Sequence, residues 1–180
     1  MSPNLIKHEY VDPKTKRSKI KKYERGEMLG RGGFAYCYAI ESFDTQKKYA
    51  CKIISKSKLK KKTTRLKLIT EIKVHKLVSG HKNIVRFVKW FEDKERVYIV
   101  LELCKNKSLL DLVKTRGKLT ESEVRYFMAQ ILSALRHIHS NNVIHRDLKL
   151  GNIFVCSNYM LKLGDFGLAT KLEWRSQRKT

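Results

Sequence analysis

Residues 23–103 alternate short runs of β-branched and aromatic residues with polar breaks, a period that predicts strands at 23–29, 36–42, 48–55, 84–92 and 96–102. One helical pattern interrupts them at 64–79, with Gly80 as its expected C-cap. Past residue 103 the texture turns helical. A short helix is expected at 108–115, and a longer one starts at Thr120 with Glu123 completing a capping box. Along it Val124, Phe127, Met128, Ile131, Leu135 and Ile138 form an apolar stripe at helical spacing, expected to be buried. That helix should stop at Ser140-Asn141-Asn142. Two short strands follow at 153–155 and 161–163, around a turn at Ser157-Asn158. Residues 1–22 are polar and basic and read as an extended lead-in. No internal repeat is visible. The order is α+β: a β-rich lobe with one helix, then a helical lobe, with a crevice between them where a nucleotide could sit.

Composition changes this picture only at its edges. The chain has 180 residues, enough for one domain with a core, and is 42% hydrophobic. Lys and Arg outnumber Asp and Glu by 40 to 17, a net charge of +23. Residues 45–70 hold ten cations and no carboxylate, and a second basic stretch spans 14–22. Neither stretch interleaves aromatics as a single-strand binding groove would. They read as solvated faces that attract phosphate-rich or acidic substrates, ahead of nucleic-acid binding. The cluster Lys60-Lys61-Lys62 also fits a nuclear address, a weak signal. Four separated cysteines without a Cys-x-x-Cys pair suit a reducing compartment. No signal peptide or spanning apolar run is seen, so an intracellular, non-membrane protein is expected.

The chemistry lies in a few short runs. Gly30-Arg31-Gly32-Gly33-Phe34-Ala35 sits between two expected strands, where glycines allow close approach to phosphates and a positive φ. A strand rather than a helix follows, which argues against a dinucleotide-binding turn, and no Walker lysine is present. Lys52 lies on the next strand, and Glu71 is the sole carboxylate of the following helix. A snorkelling lysine and a solvated glutamate are the plain alternatives. His145-Arg146-Asp147-Leu148-Lys149-Leu150-Gly151-Asn152 and Asp165-Phe166-Gly167 decide between them. Asp147 can accept a hydroxyl proton, and Lys149 can neutralise charge on a transferring phosphoryl group. Asn152 and Asp165 are hard oxygen ligands suited to Mg²⁺. Taken in this order the runs match the catalytic and metal loops of protein kinases, with Lys52 for the α- and β-phosphates and Glu71 as its partner. His145 reads as a packed structural residue.

The chain resembles the polo-like kinases from about Val11 to its end. The carrying segments are Val11-Asp12-Pro13, Leu29 through Ala35 with Cys37, Val100 through Cys104, His145 through Asn152, and Gly164 through Lys171. Ala35, where kinases generally carry a third glycine, is typical of that family. The resemblance implies a bilobal kinase fold: an antiparallel five-stranded N-lobe sheet with one main helix over 23–103, then a partial C-lobe over 104–180 ending in the activation loop. It implies ATP and Mg²⁺ as cofactors and transfer of the γ-phosphoryl group to Ser or Thr hydroxyls. It makes Leu101 the gatekeeper and has Glu102 and Cys104 bind adenine through their backbones. Leu29, Cys37, Ala50 and Phe154 would sandwich the base, and Tyr36 would continue the phosphate loop. Thr180 falls where the activating phosphothreonine would lie. Protein substrates, acidic ones among them, are the implied partners of a monomer in cytoplasm or nucleus, with the centrosome or spindle as further sites. The chain stops before any Ala-Pro-Glu motif, later helix or polo-box region, so the C-lobe is expected to be truncated. An inactive kinase remnant or regulatory nucleotide-binding fragment is the alternative.

Overall fold

The computed structural model describes residues 4–33 and 35–172. They group into two compact units, Met1–Thr64 with Phe87–Leu103, and Arg65–Arg86 with Cys104–Thr180.

The first unit is built on an antiparallel sheet. Strands β1 (Leu5–Val11), β2 (Ser18–Arg31), β3 (Ala35–Ser42), β4 (Lys48–Ser55), β5 (Phe87–Glu92) and β6 (Arg96–Glu102) stand in the order β1-β2-β3-β4-β6-β5. The sheet therefore has six strands and not the expected five, because the basic lead-in folds back as a hairpin. Asp12 makes that turn: its Oδ1 accepts from Lys14 N and Thr15 N, and its other oxygen pairs with Lys19. Ile6 then lies opposite Tyr23, and both are buried. The core of this unit gathers Ile6, Tyr23, Ile40, Cys51, Ile53, Phe91, Tyr98 and Val100 on one face of the sheet. His8 stacks on Phe91 at 4.3 Å, so the two edge strands of the sheet curl towards each other. The fourth expected strand is shorter than its apolar run. Ile84 makes only an isolated bridge to Leu163, and the ladder begins at Phe87.

Helix α1 (Lys62–Val78) follows a single 3₁₀ turn, Lys56–Leu59. Gly80 falls in the turn after α1 but outside the left-handed region, so it is not the αL cap its position suggests.

In the second unit, α2 (Leu109–Arg116) and α3 (Glu121–Ser140) both open on capping boxes, Ser108 with Asp111 and Thr120 with Glu123. Asn141 ends α3, and Asn142 turns the chain at φ 58°. Short strands β7 (Val143–Ile144) and β10 (Thr170–Lys171) pair with each other, as do β8 (Ile153–Val155) and β9 (Leu161–Leu163). Asn158, at φ 56° and ψ 35°, and Tyr159, at φ 53°, both take a positive φ in the β8–β9 turn. Asn83 braces this unit, its Nδ2 donating to Leu161 O at 2.8 Å and to Gln130 Oε1 at 3.0 Å. The expected apolar stripe of α3 divides. Phe127 and Ile138 are buried and Ile131 and Leu135 pack partly buried against the core, while Val124 and Met128 are 43% and 45% exposed. No helix among the described residues is long and apolar enough to cross a membrane.

Candidate active site

The second unit brings its expected site residues together around one buried ring. His145 and Phe166 are almost fully enclosed and meet edge to face at 5.0 Å. His145 Nδ1 accepts from Asp147 N at 3.3 Å, which leaves Nε2–H to donate to Gly164 O at 2.9 Å. The histidine thus ties the run beginning at residue 145 to the one beginning at residue 164. The structural reading of His145 holds.

Asp147 is held from two sides. Lys149 Nζ donates to its Oδ2 at 2.7 Å, and Asn152 Nδ2 donates to the same oxygen and to Asp147 O, both at 2.8 Å. Lys149 and then Asn152 hold the Asp147 carboxyl below the usual carboxylate range, and Asp147 in turn raises Lys149. Both amide hydrogens of the buried Asn152 go to Asp147, so the oxygen is the amide atom left for a cation. The backbone carbonyl of Asn152 accepts from Gly164 N at 2.9 Å. The next residue, Asp165, has a left-handed backbone at φ 55° and ψ 74°. That conformation sends Asp165 to the surface while Phe166 enters the core. Two hard oxygen donors on adjoining loops suit Mg²⁺, which keeps several waters and takes one or two carboxylates beside phosphate oxygens.

Two residues that sequence reasoning passed over complete this arrangement. A Cβ on Gly164 would meet Phe154 Cε2 at 2.8 Å and Val85 Cγ2 at 2.9 Å, so only glycine fits. Phe154, expected in the adenine sandwich, lies against that backbone. Arg146, at φ 63°, donates from Nε to Leu168 O at 2.7 Å and fastens the segment after Asp165. Both lie in motif runs quoted from the sequence, but their bracing contacts show only in the structure.

In the first unit, register decides which residues share a face. Cys37 pairs with Lys52, Lys52 with Ile99, and Ala50 with Leu101. Cys37, Ala50, Lys52 and Leu101 therefore point to one side of the sheet, opposite Tyr36 and Tyr38. Glu102 ends β6 on the other side, paired with Tyr49. Leu29 sits at an irregularity between Met28 and Gly30, half exposed. The glycine hairpin is closed by Gly32 N to Ala35 O at 2.9 Å, with Arg31 opposite Tyr36. None of Gly30, Gly32 and Gly33 takes the positive φ expected of them, and a Cβ on Gly30 or Gly33 would meet nothing within 4 Å. What these glycines provide is open space over the hairpin. Glu71 is half-buried on α1, and Cys104 follows β6 as part of the second unit. Phe34 and Thr180 lie outside the described residues.

The family model for the protein kinase domain matches residues 23–180. The chain belongs to the protein kinase domain family. Among proteins it is similar to are the cell cycle serine/threonine-protein kinase CDC5/MSD2 of Saccharomyces cerevisiae, 47% identical over 99% of this chain, and the probable serine/threonine-protein kinase PLK of Dictyostelium discoideum, 50% identical over 90%. Serine/threonine-protein kinase PLK1 of Xenopus laevis is 46% identical over 94%. These names bear out the polo-like resemblance. The kinase chain spans 27%, 16% and 27% of the length of these three relatives.

Proposed function

We propose that this chain carries the phosphoryl-transfer site of a polo-like Ser/Thr protein kinase, with ATP as donor and protein Ser or Thr hydroxyls as acceptors. The observation that carries the reading is the clamp on Asp147, whose carboxylate is fixed by Lys149 and Asn152 while Asn152 adjoins the Asp165 loop. A carboxylate aimed by two donors is positioned to accept a hydroxyl proton, its orientation and not its basicity being what those donors supply. Lys149 supplies positive charge beside that acceptor, where an attacking oxygen and a phosphoryl group would gather negative charge. Asn152 Oδ1 and the Asp165 carboxylate would hold Mg²⁺, which neutralises phosphate charge when bound. The same proposal assigns nucleotide binding to Lys52, Glu71, the run of residues 30–36, Leu29, Cys37, Ala50, Glu102, Cys104 and Phe154. Thr180 is the proposed phosphosite. A cell-cycle role belongs to the same proposal, supported by the name of the Saccharomyces relative.

The test is transfer of label from γ-labelled ATP to casein in the presence of Mg²⁺. Label on serine or threonine that disappears in Asp165→Asn supports the reading. Label that persists in that variant, or no transfer at all, overturns it.

A further inference from the structure

The sheet face opposite Lys52 carries a concavity of about 340 Å³ whose lining, Tyr36 apart, lies outside the proposed nucleotide-binding set. Tyr36 and Tyr38 of β3 and Ile53 and Ser55 of β4 line it, on one side of the ladder. Arg25 of β2, Lys58 of the 3₁₀ turn and Arg96 of β6 bring three cations to its wall, against the single carboxylate of Glu95.

Aromatic rings hold two of these cations, Arg25 and Lys58, in place. The Arg25 guanidinium lies 4.9 Å from the Tyr38 ring centroid, and its Nη2 donates to Asn4 Oδ1 at 2.9 Å. Lys58 and Arg31 each lie 5.4 Å from the Tyr36 ring. The neighbouring carboxylates are already engaged. Asp93 accepts from Tyr98 Oη and from the backbone of Glu95 and Arg96, and Glu92 pairs with Lys56 at 3.1 Å. Asp93 still offsets part of the Arg96 charge, so the wall keeps a reduced net positive charge, three cations against the carboxylates of Glu95 and Asp93.

We propose that this concavity docks an acidic peptide segment of a partner protein. Carboxylate side chains would meet Arg25, Lys58 and Arg96, with an apolar side chain resting on Ile53 and Tyr36. Pre-positioned cations lower the ordering cost of such binding, and their charge complements an acidic ligand on a chain of net charge +23. A volume near the lower limit of ligand sites admits a few side chains. Nucleic acid fits less well, because Tyr36 and Tyr38 already have cations over their rings and offer no open stacking platform. The proposal stands apart from the transfer reading, since binding is measured without ATP.

The probe is a short fluorescein-labelled peptide of glutamates around one phenylalanine, titrated against the whole chain by anisotropy at physiological salt. Replacing Lys58→Gln with Arg96→Gln should weaken binding by at least about tenfold. The equal charge change Lys60→Gln with Lys61→Gln should alter it by less than about twofold. On the unmodified chain, amide chemical shifts should move at Tyr36, Ile53 and Ser55, a readout that survives if the double variant fails to fold. Equal weakening by both pairs, shifts confined to other residues, or no binding overturns the proposal. So does an oligo-dT strand that binds this face in preference to the peptide.

Discussion

Asn152 and Asp147 are joined twice by one side-chain amide, which donates to the Asp147 carboxylate and to its backbone carbonyl at 2.8 Å each. This couples the orientation of the proposed base to a proposed metal ligand. Asn152→Ala should therefore remove both functions together. Transfer should fall by about 10²–10³-fold, and loss of two hydrogen bonds at a buried position should cost about 1–3 kcal/mol. Activity assays paired with urea unfolding check both expectations.

Gly164 has no room for a methyl group between Phe154 and Val85. Gly164→Ala should cost about 1–3 kcal/mol through overpacking. Phe154→Leu should recover part of that loss in the double variant, because the ring atoms are the nearest obstacle. Denaturant midpoints of the two single variants and the double variant measure the coupling.

His8 lies beside Lys89, whose Nζ is 3.1 Å from its Nδ1. Burial first, then Lys89 and Lys21, lowers the His8 pKa to about 4, so the folded protein holds it neutral. The unfolded chain, with a value near 6.5, binds the extra proton between those limits. Stability contributed at pH 7 should therefore decline as pH falls from about 6.5 towards 4, by about 1–2 kcal/mol once solvent screening is allowed for. His8→Phe should flatten that part of the stability profile. Chemical denaturation across the window reads the slope.

The capping box of α3 closes on both sides, Glu123 N donating to Thr120 Oγ1 at 3.3 Å and Thr120 N to Glu123 Oε2 at 2.8 Å. Thr120→Ala should cost about 1 kcal/mol. Thermal melting of Thr120→Ser, which keeps the acceptor, should stay close to the unmodified protein.

That capping box was legible in the sequence because its spacing is local. Strands β4, β6, β8 and β9 were legible too, since each joins β-branched or aromatic density to a nearby turn residue. The hairpin of β1 and β2 was not. Its lysines dilute the apolar alternation, and Ile6 gains its value only when Tyr23 and Phe91 close over it. The runs at 145–152 and 165–167 carried the family resemblance through order and spacing. What they did not announce was the brace beneath them: the closed space at Gly164, the Arg146 bond to Leu168, and the tautomer of His145. Those depend on residues far apart in the chain, for which no local pattern exists. The open hairpin at Gly30 and Gly33 shows the reverse, a familiar motif whose backbone does not take the conformation that its composition suggests.

The most direct measurement is single-turnover transfer of the γ-phosphoryl group to a serine-containing protein, comparing the unmodified chain with Asp147→Asn at saturating ATP and Mg²⁺. The asparagine keeps the shape at that position but removes the proton acceptor. Transfer should fall by at least about 10²-fold, while ATP affinity stays within about twofold. Equal transfer by the two proteins would contradict the assignment of Asp147 as the base, and with it the central claim.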